Sequence, residues 1–181
     1  MSLVALEDLA NEPAVTRFYA GLDRLWASIH VAGGFAFAPI ADSDIKVLAN
    51  QLDSNLIATY LCSRSAIAAI RRAGQGGRIV NTAARQALEP RLGAGLTAYT
   101  VAKAGVVALT LALAEEVAKE GILVNAIAPS IMDTPANRRS MPAADFRAWP
   151  SVDEVAATVV FLASPQNQVT RGAIVPVYGK V

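Results

Sequence analysis

Tyr99 and Lys103 lie four residues apart in the stretch AYTVAKAGVVALTLALAEEVAKEG, residues 98–121. On a helix, residues i and i+4 are neighbours on one face. An ammonium beside a phenol favours the phenolate and lowers the tyrosine pKa from its usual value near 10. A tyrosine tuned in this way can give or take a proton near neutral pH, as a general acid or base must. Taken alone, the pair is accounted for more simply by a partly buried tyrosine with a lysine stem snorkelling past it. Its surroundings therefore decide its meaning.

The elements that must position the pair are read from hydrophobic periodicity. ASIHVA (27–32), GRIVNT (77–82), ILVNAIA (122–128) and GAIVPVY (172–178) are short, β-branched and apolar on both faces, the pattern of buried parallel strands. Between them, residues 44–74, 98–120 and 152–164 carry apolar residues at helical spacing. Ser151 with Glu154 forms a capping box at the start of the last of these. Strand alternating with helix predicts an α/β fold: right-handed βαβ units and a parallel sheet covered on both faces. Two segments break the rhythm: 85–97, a loop containing Gly and Pro, and 129–151, a longer one with four prolines. Both follow the carboxyl ends of strands, where open α/β sheets bind ligands.

The 181 residues suffice for one domain with a substantial core. A hydrophobic fraction of 54% and a charged fraction of 17% exclude disorder. A net charge of +1 favours neither nucleic acid nor an anionic membrane as partner. The single cysteine, Cys62, has no internal disulfide partner, which fits a cytoplasmic protein. No apolar run is expected to approach the roughly 20 residues that span a bilayer. The opening MSLVALEDLANEP has no signal-peptide pattern.

Five separated motifs in order resemble the short-chain dehydrogenase/reductase family, over nearly the whole chain. GGRIVNTAA followed by AYTVAKAG is similar to its strand, active-site loop and Tyr-x-x-x-Lys helix. ILVNAIAPSIMDTP is similar to its next strand and substrate loop, with Pro129-Ser130 where Pro-Gly is usual. HVAGG (30–34) resembles its Asn-Asn-Ala-Gly turn, with His30 and Val31 replacing both asparagines, and LDSNLIATYL resembles the helix that carries its relay asparagine. Within the family, VAGG, AARQAL (83–88) and residues 132–149 look like the dihydropteridine reductase branch, which also lacks the usual serine; here that position is Ala84.

The resemblance implies a Rossmann-like doubly wound sheet and NAD or NADP as cofactor. It implies Tyr99 as proton donor, Lys103 as its pKa-lowering partner and ribose contact, and Asn55 as holder of a relay water. Ala32, Gly33, Gly34, Pro129 and Thr134 fall where the family contacts its cofactor, although Thr134 is equally a helix N-cap. Ala84 removes a hydroxyl that polarises a carbonyl, so an activated substrate (pterin-like, quinone or carbonyl) is implied. Phe146 and Trp149 either wall a flat substrate or anchor the 129–151 segment to the core. His30 is either a polar group near the cofactor or a satisfied strand-end histidine. A homodimer or homotetramer is implied, built on the helices at 44–74 and 98–120.

The family's Gly-rich phosphate turn has no counterpart in the sequence; GQGG at 74–77 precedes a strand instead of following one. The resemblance begins near VALEDLANEPAV, at the end of the family's third strand. A sheet missing the first two strands is therefore expected, with 27–32 as an exposed edge. Three accounts remain open at this point: a longer protein, a mobile half, or a second chain covering the edge. A catalytically silent binding or assembly module is the competing function, favoured by Ala84 and disfavoured by the retained Asn55, Tyr99 and Lys103.

Overall fold

The computed structural model describes residue 5 and residues 8–180. The expectation that residues 3–6 end a strand lies largely outside the described residues. Four parallel strands, β1 (Ala27–His30), β2 (Gly77–Thr82), β3 (Ile122–Pro129) and β4 (Ile174–Val177), lie side by side in sequence order. Every residue of β3, and all of β2 but its last, is buried, as their unbroken apolar runs require. The strand assignments from sequence stand, shortened by two residues at β1 and three at β4, but burial on both faces fails at the two outer strands: Ile29 of β1 is exposed and no residue of β4 is fully buried.

Alternation along the strands sorts the core into two layers. Ile79 and Val124 face α1 (Glu12–Ala20), α3 (Ala58–Ala73) and α5 (Thr97–Glu116), packing with Val15, Leu61, Ile70 and Val117. Val80 and Ile127 face α7 (Val152–Ala163), packing with Val155, Val159 and Leu162. The capping box is formed: Ser151 Oγ accepts from the Glu154 N–H, and the Glu154 carboxylate accepts from the Ser151 N–H at 2.7 Å.

The structure corrects several boundaries. α1 was not anticipated, although Asn11 caps it and Pro13 sits in its first turn, both start signals. The helix expected over 44–74 is α2 (Ile45–Gln51), a π-helical turn (Leu52–Ile57) and α3. The loop expected at 85–97 contains α4 (Arg85–Leu88) and a 3₁₀ turn, and the segment 129–151 contains α6 (Pro135–Ser140). Against the expectation for apolar runs, α5 is long and apolar enough to cross a bilayer by length and composition, with 20 residues and a mean hydropathy of 1.5. Its inner side (Ala98, Ala102, Val106, Thr110, Ala114) is buried against the sheet layer, the signature of a core helix.

Candidate active site

α5 begins at the carboxyl end of the sheet and carries Tyr99 and Lys103 in its first two turns. Lys103 is 5% exposed; its Nζ donates to the Thr82 carbonyl at the end of β2 (2.8 Å) and lies 5.9 Å from the centroid of the Tyr99 ring. Beside it stands the π-turn. Asn55 Nδ2 donates to the Gln51 carbonyl and to the Gly34 carbonyl, both at 3.0 Å. The side chain thus takes the acceptor that an ordinary helix would offer to its own backbone N–H, and the local bonds lengthen to the i→i−5 register. Asn55 is wholly buried, and its Oδ1 has no partner among the described residues.

The chain leaving β1 passes against this turn. A Cβ on Gly33 would lie 2.6 Å from Asn55 Oδ1 and 3.4 Å from Lys103 Nζ, and one on Gly34 would lie 2.6 Å from Ser54 Oγ. Glycine is required here for close approach, with no left-handed turn involved. Tyr99, Lys103, Asn55 and Gly33, four residues singled out from sequence, are therefore brought into one constellation.

Its electrostatics correct one expectation. Burial pushes the Tyr99 phenol up to about 12 and the Lys103 ammonium down to about 8. The ammonium was expected to acidify the phenol, but at Tyr99 burial alone sets the direction, and it is upward. Lys103 spends its hydrogen bond on the Thr82 carbonyl and is itself taken out of water. Near neutral pH both groups keep their protons, so the site presents an acid.

The remaining predicted residues sit on neighbouring segments at the same end of the sheet. Ala84, 3% exposed, precedes α4 in extended conformation, and Pro129 closes β3. Thr134 caps α6, its Oγ1 accepting from the Asn137 N–H at 3.2 Å. Trp149 is buried and packs against Phe146 with ring centroids 5.1 Å apart; the Arg138 guanidinium lies 5.0 Å over the Phe146 ring. These contacts bind the 129–151 segment to itself. Its base is tied by the Asp133 N–H to the Pro150 carbonyl and by the Lys180 N–H to the Ala148 carbonyl. Ala32 lines the cavities along the β1 edge.

Comparison with known proteins puts this constellation in a family. A family profile described as enoyl-(acyl carrier protein) reductase matches residues 6–179. The chain belongs to the short-chain dehydrogenase/reductase family. It is 32% identical to the (2S)-[(R)-hydroxy(phenyl)methyl]succinyl-CoA dehydrogenase subunit BbsD of Thauera aromatica, over 98% of this chain and 75% of that one. The structure of acetoin dehydrogenase from Enterobacter cloacae superposes with a TM-score of 0.83 at 32% identity, covering 96% and 72% of the two chains. ElxO with NADP bound gives a TM-score of 0.88 at 23% identity, covering 98% and 77%, a likeness of fold.

For a short-chain dehydrogenase/reductase, sequence reading missed three contributors. Thr82 supplies the carbonyl that holds Lys103, a backbone role without a residue-type signal. Gln51 bonds Asn55 through its main chain, equally silent in sequence. Phe35 stands edge-on to Tyr99, centroids 5.1 Å apart; an aromatic just beyond a glycine pair at a strand end was its available signal. His30 belongs to the core: its Nδ1 and the Asn81 Oδ1 are 2.8 Å apart, and its Nε2 meets Ser28 Oγ at 2.8 Å. The residues present fit the nicotinamide-ribose end of a dinucleotide. Gly33 leaves its backbone bare, the buried Asn55 Oδ1 awaits a donor, and Lys103 offers an ammonium 5.9 Å from the centroid of the Tyr99 ring.

Proposed function

We propose that this chain is an NAD(P)-dependent oxidoreductase that interconverts a carbonyl and an alcohol, or reduces a similarly activated small molecule, with Tyr99 as proton donor. The convergence of Tyr99, Lys103 and the unpartnered Asn55 Oδ1 around Gly33 carries this reading. A nicotinamide dinucleotide held at this site would supply the hydride for the reduction. Tyr99 gives its proton to the substrate oxygen, so that hydride and proton together complete the two-electron reduction. The Lys103 ammonium steadies the phenolate left behind, which would otherwise be a bare charge in a poorly solvated site. Asn55 Oδ1 holds a water through which Lys103 and Tyr99 recover a proton. Gly33 and Gly34 keep the loop bare for the ribose and nicotinamide, and Ala32, Pro129 and Thr134 complete that wall.

Ala84 sets the substrate class. A methyl replaces the hydroxyl that would polarise a ground-state carbonyl, a donor typically worth about 2.7–4 kcal/mol. The substrate is therefore intrinsically electrophilic: a vicinal diketone, a quinone or a quinonoid pterin. Relatives named as dehydrogenases of acetoin and of a hydroxy(phenyl)methyl-succinyl-CoA thioester support carbonyl–alcohol interconversion, and the dihydropteridine-like stretches support a pterin. Phe146 belongs to the substrate segment in this reading, with the buried Trp149 fixing its position. Cytoplasmic location and assembly of a single domain into a homodimer or homotetramer belong to the same proposal.

The test is oxidation of NADH and NADPH against a panel of diketones, quinones and quinonoid dihydropterin. Tyr99→Phe is expected to lower turnover by at least about a hundredfold, as loss of a general acid does, with the circular dichroism spectrum unchanged. Turnover retained in Tyr99→Phe would overturn the assignment. The absence of turnover on every substrate would favour a silent binding module, the reading to which Ala84 also lends itself.

A further inference from the structure

Two loops meet beside Tyr99. The Ala38 N–H donates to the Gly95 carbonyl at 2.9 Å, fixing the chain after β1 to the chain before α5. Phe37 packs its ring on Gly95, whose φ of +75° already favours glycine; a Cβ there would lie 2.6 Å from the ring. This clamp sets the position of Phe35, two residues earlier. Its ring meets Tyr99 edge to face, with centroids 5.1 Å apart and planes at 75°, yet it remains 65% exposed. A phenylalanine held at one side by a reactive phenol and open on the other has a free face for a flat apolar group.

We propose that Phe35 is the specificity-determining wall of the substrate site, selecting a carbonyl compound whose reacting group carries an aromatic or similarly flat apolar substituent. The inference rests on Tyr99 marking the reacting end, and it adds what lies next to that end. Glycine at 33 and 34 threads the loop past Asn55 and Ser54, and the clamp at Gly95 turns it back, so Phe35 is presented by main-chain geometry. A wall that is pre-positioned loses little conformational freedom when a ring stacks on it. An aliphatic substituent of the same reach would gain less, because stacking needs two flat faces.

Two diketones that differ by one group make the probe: 1-phenyl-1,2-propanedione and 2,3-butanedione. Equilibrium binding of each to the full chain is measured by calorimetry, and KM and kcat are measured with NADPH and NADH. Phe35→Ala is expected to weaken binding and raise KM for the phenyl compound by about tenfold, the loss of one stacking contact, and to affect 2,3-butanedione about fivefold less. Phe35→Leu, which keeps bulk without a flat face, should behave like Phe35→Ala, and Phe35→Tyr should restore binding. Equal effects on both diketones, or failure of the phenyl compound to bind the wild type, overturns the proposal. Tyr99→Phe separates the two claims: it should bind both compounds while losing turnover. Retained turnover there sinks the proton donor and leaves the Phe35 comparison standing on binding.

Discussion

At Lys103, burial and chemistry pull in opposite directions. In the proposed reaction the ammonium must be charged to steady a phenolate, yet burial lowers its pKa from 10.5 to about 8. Between these two values the unfolded chain keeps a proton that the folded chain has released, so this residue makes stability rise with pH across that window. Tyr99, raised from 10.0 to about 12, does the reverse: above pH 10 the unfolded chain loses a proton that the fold retains, and stability falls. Urea unfolding of wild type and Lys103→Met at pH 7 and pH 10 should therefore show a difference on the order of 3 kcal/mol that shrinks at the higher pH. A pH-independent difference would mean that Lys103 is not buried as a cation. For the same reason, carbonyl reduction should decline above pH 8, and Lys103→Arg should move that limb upward. The placement of Tyr99 and Lys103 at the carboxyl end of the sheet was legible because a strand, a loop and an apolar helix follow one another around them. Their pKa directions were not, since a spacing of four residues does not report how much water surrounds the pair.

The π-turn at Leu52–Ile57 is the element on which the site depends. Its periodicity in sequence is that of any amphipathic helix, so 44–74 read as one element; the extra residue in the turn leaves no trace in composition. Asn55 alone hinted at it, as a buried amide able to compete for a backbone carbonyl. Gly33→Ala tests the fit between this turn and the loop beside it. The added methyl would sit 2.6 Å from Asn55 Oδ1 against a backbone held on both sides, so a loss of about 1–3 kcal/mol is expected. Chemical denaturation reads the stability, and NADPH oxidation should fall with it; unchanged values would show that the loop can move aside. β1 carries a second dependence. His30 is pushed down to about 4 by burial, and it joins β1 to Asn81 of β2. Asn81 Nδ2 in turn donates to Thr110 of α5 at 2.9 Å. The titratable groups around it, Tyr19 and Cys62, have raised pKa values and stay neutral in acid. The unfolded chain takes up a proton between pH 6.5 and 4 that the fold excludes, so stability should drop as pH falls through this window, and His30→Gln should flatten the slope. An equally steep slope in that variant would assign acid sensitivity elsewhere.

For the whole molecule, the parallel sheet followed from four apolar runs separated by helical segments, and its order β1-β2-β3-β4 matches the sequence order. What the runs did not reveal is how much apolar surface stays outside the core. Val101 on α5, Ile45 on α2 and Ile40 ahead of it are 51%, 74% and 74% exposed, and all three line one cavity of about 360 Å³. Ile57 and Tyr60, in the π-turn and α3, add further exposed apolar surface on elements adjoining α5. Apolar patches of this kind on a folded chain mark contact surfaces, and helix faces rich in Ala and Gly allow close approach; Gly105 already takes Leu56 against α5. Tyr99 and Lys103 stand on the other side of α5, about 160–200° around the helix from Val101. Assembly through the Val101 face would therefore leave the Tyr99–Lys103 face free while stiffening the helix that bears it. Light scattering is expected to give a dimer or tetramer at about 10 μM, a concentration well above the dissociation constants typical of standard-sized interfaces. Val101→Asp should yield monomers, because each interface would bury an unpaired carboxylate. Diketone binding should persist in the variant, since the phenol and ammonium are carried on the opposite face. A monomeric wild type, or an assembly indifferent to Val101→Asp, would remove α5 from the interface and leave its outer face to some other partner.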